Sequence, residues 1–468
     1  MSDTTAITQR LLADEPAFAW SGEFGSHKAQ GRGTGPQVLI GDLSQIGLLQ
    51  GRGDPPLDHR LAHLASAGDF LLVHATDPAF QAYLQEYRGI NGLTVLAADP
   101  ADERAVATQA MTIPYLREPL VEAARAHAGL TLTSYLTTGT IWHLAQVIGA
   151  AAGCLVHVNG PAPQISERAN DKLWFARIAR DVIDDKAIPP TMSAYGPKAA
   201  AALALHLGRT GAQVIVKVPD SAGSTGNIRL DATLLAHQTV QSLEGLLLGR
   251  LHARGWNDRY PILVGVWDRD VISSPSVQLW IPQTKSGPPV AQGVFEQTVL
   301  GTEAAFVGAV RCGLPQSLQV RLIDQAIRIG GVLQALGYYG KCSLDAVICA
   351  RGTIHWIECN ARWGGVSLPL QILHDIAPDH TFDGVVVIQQ MINSHRISTA
   401  KAIAALDPLL YRYHCNEVPL QGAVMLSPPA SKEGIAANLL VFAPSQCAAR
   451  QIGQEALERL IRAADLTV

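Results

Sequence analysis

Short apolar runs separated by amphipathic stretches dominate the first third of the chain. Val38, Leu39 and Ile40 form one run, Phe70, Leu71, Leu72 and Val73 a second, and Leu93, Thr94, Val95 and Leu96 a third. A helical period covers 80–87. The apolar window 144–158 is broken by Gly149, Gly153 and His157, which predicts a helix followed by a strand, not a membrane span. Strands of this length alternating with helices predict a parallel α/β lobe.

Further along, an amphipathic helix is expected over 173–183, capped by Asp171 or Asn170 and ending before Pro189 and Pro190. A strand over 214–218 runs into the hydroxyl-rich loop 219–227. A helix over 234–250 and an apolar strand over 262–266 follow. Runs at 385–391, 422–425 and 439–442, then a helical period over 450–463, suggest a closing α+β segment.

The most informative pattern lies at 343–349 and 353–360. Both stretches alternate, and both are rich in β-branched and aromatic residues. Arg351 and Gly352 between them predict a tight hairpin. With those two as the loop, Asp345 faces Glu358, and Asn360 shares the face of Glu358 because side chains repeat every second residue. Like charges opposite one another cost up to about 1 kcal/mol, so a cation between them is expected. An all-oxygen donor set points to magnesium over zinc. By the same parity, His355 is expected on the opposite face.

Composition narrows the function. The chain has 468 residues, 48% hydrophobic and 16% charged, and a net charge of -4, which provides no basic field for nucleic acid. The length suggests several lobes. The first fifteen residues are polar and acidic, so no secretory signal is expected, and the cytoplasm is the default. Seven cysteines without a Cys-x-x-Cys spacing are read as reduced core residues.

The loop after 214–218 has the composition of a phosphate cradle: glycine lets the backbone approach and hydroxyls donate. It is not a Walker loop, because Lys217 precedes the glycines on a strand. The Gly31, Gly33, Gly35 cluster precedes its strand and is therefore not a dinucleotide loop. Arg52-Gly53-Asp54 is read as a chance match to an adhesion motif.

Lys172 at a helix start, Lys217 before a Gly-rich loop, the apolar strand around Val264 and the late Asp345, Glu358, Asn360 hairpin follow one another in an order that resembles the ATP-grasp superfamily. Gly337-Tyr338-Tyr339-Gly340, the run 358–365 and Ser274-Pro275-Ser276-Val277-Gln278 resemble the peptide ligases of the pheganomycin type. The resemblance implies an α/β chain with α+β catalytic lobes: a pre-ATP-grasp parallel α/β domain (1–165), two ATP-grasp lobes (166–260 and 261–375) and a C-terminal α+β extension (376–468).

It also implies roles. Lys172 and Lys217 would contact the phosphates of ATP, with Ser221, Gly223, Ser224, Thr225 and Gly226 covering them. Val264, Val266 and Trp267 would meet the base, and Gly265 stands where relatives carry a Glu. Asp268 or Asp270 would take the ribose. Asp345, Glu358 and Asn360 would hold Mg2+, and Arg362 would face the substrate carboxylate. Lys217 and Arg362 are the catalytic candidates. The implied activity is an ADP-forming, amide-forming ligase acting on small-molecule carboxylate and amine substrates, amino acids or short peptides. An alcohol or thiol nucleophile and a non-catalytic nucleotide-binding protein are the alternatives, and a homodimer is left open.

Overall fold

The computed structural model describes residues 4–19, 24–46, 55–99, 101–219, 226–301, 304–378, 380–413, 420–431 and 434–465. Three sheets organise them. The first has six parallel strands in the order Lys28–Gln30, Val156–Val158, Leu130–Ser134, Gln37–Ile40, Phe70–Val73 and Thr94–Ala97. Its central strands are almost wholly buried, as expected where helices cover both faces. The apolar window around Ile148 forms the helix Gly139–Ala152 and the strand Val156–Val158, with Gly153 at φ +72° ending the helix. Among the described residues no helix is long and apolar enough to cross a membrane.

The second sheet is small and antiparallel, in the order Thr191–Ala194, Ile262–Trp267, Gln213–Lys217 and Asn227–Leu230. Helices Pro197–Gly208 and Val240–His252 close a separate apolar core over it. The single helix expected over 234–250 is two, Ala232–Ala236 and Val240–His252. The break comes at Thr239, whose hydroxyl accepts from Ser242 N while Ser242 Oγ accepts from Thr239 N, a reciprocal cap that starts a new helix.

The third sheet has ten strands and runs through both the hairpin region and the C-terminal segment. Pro275–Ile281 pairs with Gly340–Cys349 on one side and Val290–Leu300 on the other. Ala305–Arg311 then joins Val290–Leu300 to Gly384–Ile392, which pairs with the fully buried Gly434–Ala443. Ile354–Asn360 pairs with Gly340–Cys349 beside this path. Helix Gln316–Ala335 packs on the Pro275–Ile281 end, and helix Gln446–Asp465 covers the C-terminal end.

The described cysteines are free: Cys342 and Cys359 are buried with their sulfurs 3.5 Å apart, whereas Cys349 is half-buried and Cys447 exposed, so the expected core placement holds only in part.

Candidate active site

The hairpin brings Asp345 opposite Glu358, by a different route from a two-residue turn. Near the reversal Ile348 pairs with Ile354 and Val347 with His355, one step off the expected alignment. Gly352 takes the left-handed conformation (φ +75°) that this turn requires. A bulge between the pairs Asp345/Glu358 and Ala346/Trp356 then restores the alignment by leaving Ile357 as the extra residue.

The bulge also resets the alternation. Trp356 and Cys359 go into the core, while His355, Ile357, Glu358 and Asn360 stay partly exposed. This corrects the parity argument for His355: its Nδ1 lies 2.8 Å from the Asp268 carboxylate, which lines the same cavity as Glu358.

The two carboxylates sit in contrasting surroundings. Burial and the charge of Glu358 push the Asp345 carboxyl up to about 7, against hydrogen bonds from Ser276 and Gln297. Ser276 Oγ donates to Asp345 at 2.6 Å and Asn360 Nδ2 at 3.0 Å. Burial alone would raise Glu358 too, but Lys172, Lys217 and Arg362 hold it below the usual carboxylate range. Lys172 is buried and its Nζ lies 3.1 Å from Glu358 Oε2. It sits at the first position of the helix Lys172–Val182, where Asp171 caps by accepting from Leu173 N and Trp174 N. Burial lowers Lys217 to about 8, with Glu358 pulling the other way.

Asp345 and Glu358 stand on the partition between two cavities. The larger, about 730 Å³, is lined by Lys172, Lys217, Arg229, Val266, Trp267 and Asp268 among others. The smaller, about 380 Å³, lies on the side of Arg362, with Ser276, Gln278, Ser343 and Gln389 in its wall.

Not every expected residue falls into place. Val264 is fully buried in the small lobe's core, lies between paired strands on both sides and does not line the larger cavity. Val266 and Trp267, the other two residues expected at the base, do line it. Ser221, Gly223, Ser224 and Thr225 lie outside the described residues. Gly226 closes the base of that hairpin, its carbonyl accepting from Val218 N at 3.0 Å, and is not among the cavity's lining residues. Gly265 has a local reason: a Cβ there would come within 2.7 Å of Thr191 Oγ1 and 3.2 Å of Pro190 O, so any larger residue forces its neighbours to shift.

Asn360 does not complete an oxygen triad as placed. Its Oδ1 accepts from Arg362 Nη2 at 2.6 Å while its nitrogen faces Asp345. The two carboxylates fit a hard divalent cation, since an adjacent like-charged pair is relieved by one. Asn360 would join them only on rotation of its amide and release of Arg362. Among the described residues Arg362 has no carboxylate at ion-pair distance; its Nη1 donates to Asn170 Oδ1 at 2.6 Å.

Four residues of the site carried no assigned role in the sequence: Ser276, Gln297, Asn170 and Arg60. Asn170 was considered only as a helix cap, yet it holds both Arg362 and, through Ala361 N at 3.0 Å, the chain beside it. Arg60 arrives from the N-terminal domain to line the smaller cavity, its Nε 3.0 Å from the Asn438 amide oxygen once that amide is oriented to accept. Only a tertiary contact reveals it.

Residues 58–150 match the model of the pre ATP-grasp domain. No curated protein sequence matches the chain. Solved structures do, at low identity. A biotin carboxylase from Campylobacter jejuni, solved as a β-γ-ATP complex, superposes with a TM-score of 0.54 at 14% identity over 91% of both chains. The N5-carboxyaminoimidazole synthase of Aspergillus clavatus, in complex with ADP and its ribonucleotide, gives 0.53 at 12% identity, covering 92% of this chain and 99% of that one. The corresponding synthetase of Staphylococcus aureus gives 0.52 at 9% identity, covering 93% and 99%. The chain therefore has the ATP-grasp fold, with a parallel α/β domain in front of it.

Proposed function

We propose that the chain is an ATP-dependent carboxylate-amine ligase, forming an amide through an acyl phosphate. The observation that carries this reading is the partition itself. Asp345 and Glu358 separate a cavity whose wall holds Lys172 and Lys217 from one that holds Arg60 and Arg362 and no lysine, an arrangement suited to passing a phosphoryl group from one compartment to the other. Solved relatives of the fold bind ATP or ADP by their own descriptions.

In this reading the larger cavity takes ATP, with Lys172 and Lys217 at the phosphates and Val266 and Trp267 at the base. Asp345 and Glu358 hold magnesium, which when bound neutralises phosphate charge. Arg362, once it leaves Asn360, orients the substrate carboxylate in the smaller cavity. A carboxylate oxygen attacks the γ-phosphorus and ADP leaves. An amine then attacks the acyl carbon, phosphate leaves, and the amine's proton passes to solvent or phosphate. Positioning and charge neutralisation supply the acceleration, because phosphoryl transfer leaves little covalent work for side chains.

The smaller cavity combines apolar walls from Leu43, Phe306 and Val366 with side-chain amides from Gln278, Gln389 and Asn438. That chemistry suits an amino acid or short peptide, in keeping with the resemblance to pheganomycin-type ligases and with a role in small-peptide biosynthesis. Incubation with magnesium, ATP and a pool of amino acids and short peptides tests it. Phosphate release dependent on both a carboxylate and an amine, with ADP and a product one water lighter than its parts, is the expected result. An ester or thioester product would replace the amine by another nucleophile. Tight ATP binding without turnover across the pool would sink the ligase reading in favour of a nucleotide-binding protein.

A further inference from the structure

A third cavity, about 930 Å³, opens along the same face of the large sheet. On the strand Gly340–Cys349, Lys341, Ser343 and Asp345 alternate onto one side, so Lys341 sits about 13 Å along the strand from Asp345. The N-terminal domain forms the other wall through Arg88 and its neighbours.

The charges here are unbalanced. Arg88 is 6% exposed and Lys341 7% exposed, and neither has a carboxylate at ion-pair distance among the described residues. Among the lining residues the sole acid is Asp375, exposed at the rim and already accepting from Gln371 Nε2 at 3.0 Å. Arg32 adds a further cation at the edge. Lys341 Nζ donates to two neutral amides, Gln292 at 2.9 Å and Gln371 at 3.1 Å, and lies 5.5 Å from the ring centroids of both Trp280 and Trp363. The Nε and Nη1 atoms of Arg88 are buried without a hydrogen-bond partner among the described residues.

An arginine in the last turn of a helix ordinarily satisfies carbonyls or the helix dipole. Arg88 ends the helix Pro78–Arg88, where Gly89 N–H caps onto the Leu84 carbonyl, and Nε and Nη1 of Arg88 have no acceptor among the described residues. A buried donor left unmade is costly, more so when it is charged, so a ligand is the natural acceptor. Burial lowers Lys341 to about 8 and holds Arg88 below its usual value, and the rim carboxylate of Asp375, which pulls the other way on both, does not offset it.

We propose that this cavity binds a small organic anion, its carboxylate or phosphate placed between Arg88 and Lys341 and its apolar part against Trp280 and Trp363. The site is separate from the nucleotide and acyl-transfer cavities and does not depend on the ligase reading.

Isothermal titration of the full chain with benzoate, phenyl phosphate and neutral benzamide tests it. Benzoate or phenyl phosphate should bind in preference to benzamide, and the preferred one of the two names the anionic group. Lys341→Met and Arg88→Met should each weaken the anion by about tenfold or more, the worth of one charge-assisted hydrogen bond, while Lys217→Met leaves it unchanged. Lys341→Met alone decides the matter should Arg88→Met fail to fold. The proposal is overturned by no heat from any probe at millimolar concentration, by benzamide binding as tightly as the anions, or by binding that Lys217→Met abolishes and Lys341→Met spares.

Discussion

The two ends of one sheet face hold opposite electrostatic problems. At one end Asp345 and Glu358 lie side by side, and the protein brings Lys172, Lys217 and Arg362 around them. At the other, Lys341 and Arg88 are buried beside amides and aromatic rings, with the exposed Asp375 at the rim and no carboxylate at ion-pair distance among the described residues. Burying an unpaired charge is expensive anywhere in a protein. The first end therefore has room for a cation and the second for an anion, and the same strand, Gly340–Cys349, carries both.

The acidic end should respond most strongly. Asp345→Asn and Glu358→Gln each remove a carboxylate from the partition, and ATP-dependent phosphate release should fall by about a thousandfold or more. Replacing magnesium by a chelator should have the same effect. Retention of near-normal turnover by either variant would remove the cation from the partition and leave the comparison without its first half.

Arg362→Ala should cost less, about a hundredfold in product formation, with ATP affinity nearly unchanged. Arg362 lines the smaller cavity, whereas the lysines line the larger one. A loss of ATP affinity equal to the loss of turnover would place Arg362 with the lysines and erase the division between compartments.

The hairpin shows how far sequence reaches into such a site. Alternation and Gly352 were enough to bring Asp345 opposite Glu358, yet the turn is offset by one and the bulge at Ile357 compensates. Two errors of register cancel at the carboxylates and persist at His355. A bulge has no residue signature of its own, so parity fails beyond it. The parallel N-terminal sheet was legible in part because Gln37–Ile40 and Phe70–Val73 are nearly continuous apolar runs, whereas the central strand Leu130–Ser134 carries three hydroxyl side chains and has no such signal. Val290–Leu300 and Ala305–Arg311 were not: their outer residues are exposed, and Gly293 and Gly308 interrupt the pattern. Without those two strands, nothing in the chain indicates that the C-terminal segment extends the same sheet. Arg60, Arg88 and Lys341 were equally hidden, because a buried cation becomes informative only when its surroundings are known.

The cationic end should show itself in stability. Lys341 is held at about 8 against a usual 10.5, so the folded state favours the neutral amine. Below pH 8 the lysine is charged in both folded and unfolded chains and its burial penalty is present in full. Between about 8 and 10.5 the unfolded chain binds more protons than the folded one, so stability rises with pH. The shift corresponds to roughly 3 kcal/mol, an upper figure for what a methionine of similar shape would recover. Lys341→Met should therefore melt above the parent at pH 7, with the gap narrowing as pH passes through 8 toward 10.5. A lower melting temperature at pH 7 would mean that the contacts with Gln292, Gln371 and the two tryptophans outweigh the burial of the charge, and that this end is built for stability.

The smallest effect belongs to Gly265, which lies at neither end and tests whether the nucleotide cavity depends on the packing behind it. A Cβ there meets Thr191 Oγ1 and the Pro190 carbonyl, and Pro190 O also accepts from Val266 N at 2.9 Å. Gly265→Ala must displace that segment, at about 1–3 kcal/mol for an overpacked position. Because Val266 and Trp267 follow directly and line the larger cavity, ATP affinity should drop several-fold while the affinity of the cationic end for its anion stays as in the parent. Equal losses at both cavities would show that the small lobe and the large sheet yield together, and that the contrast between the two ends is a property of charge alone and not of separately supported sites.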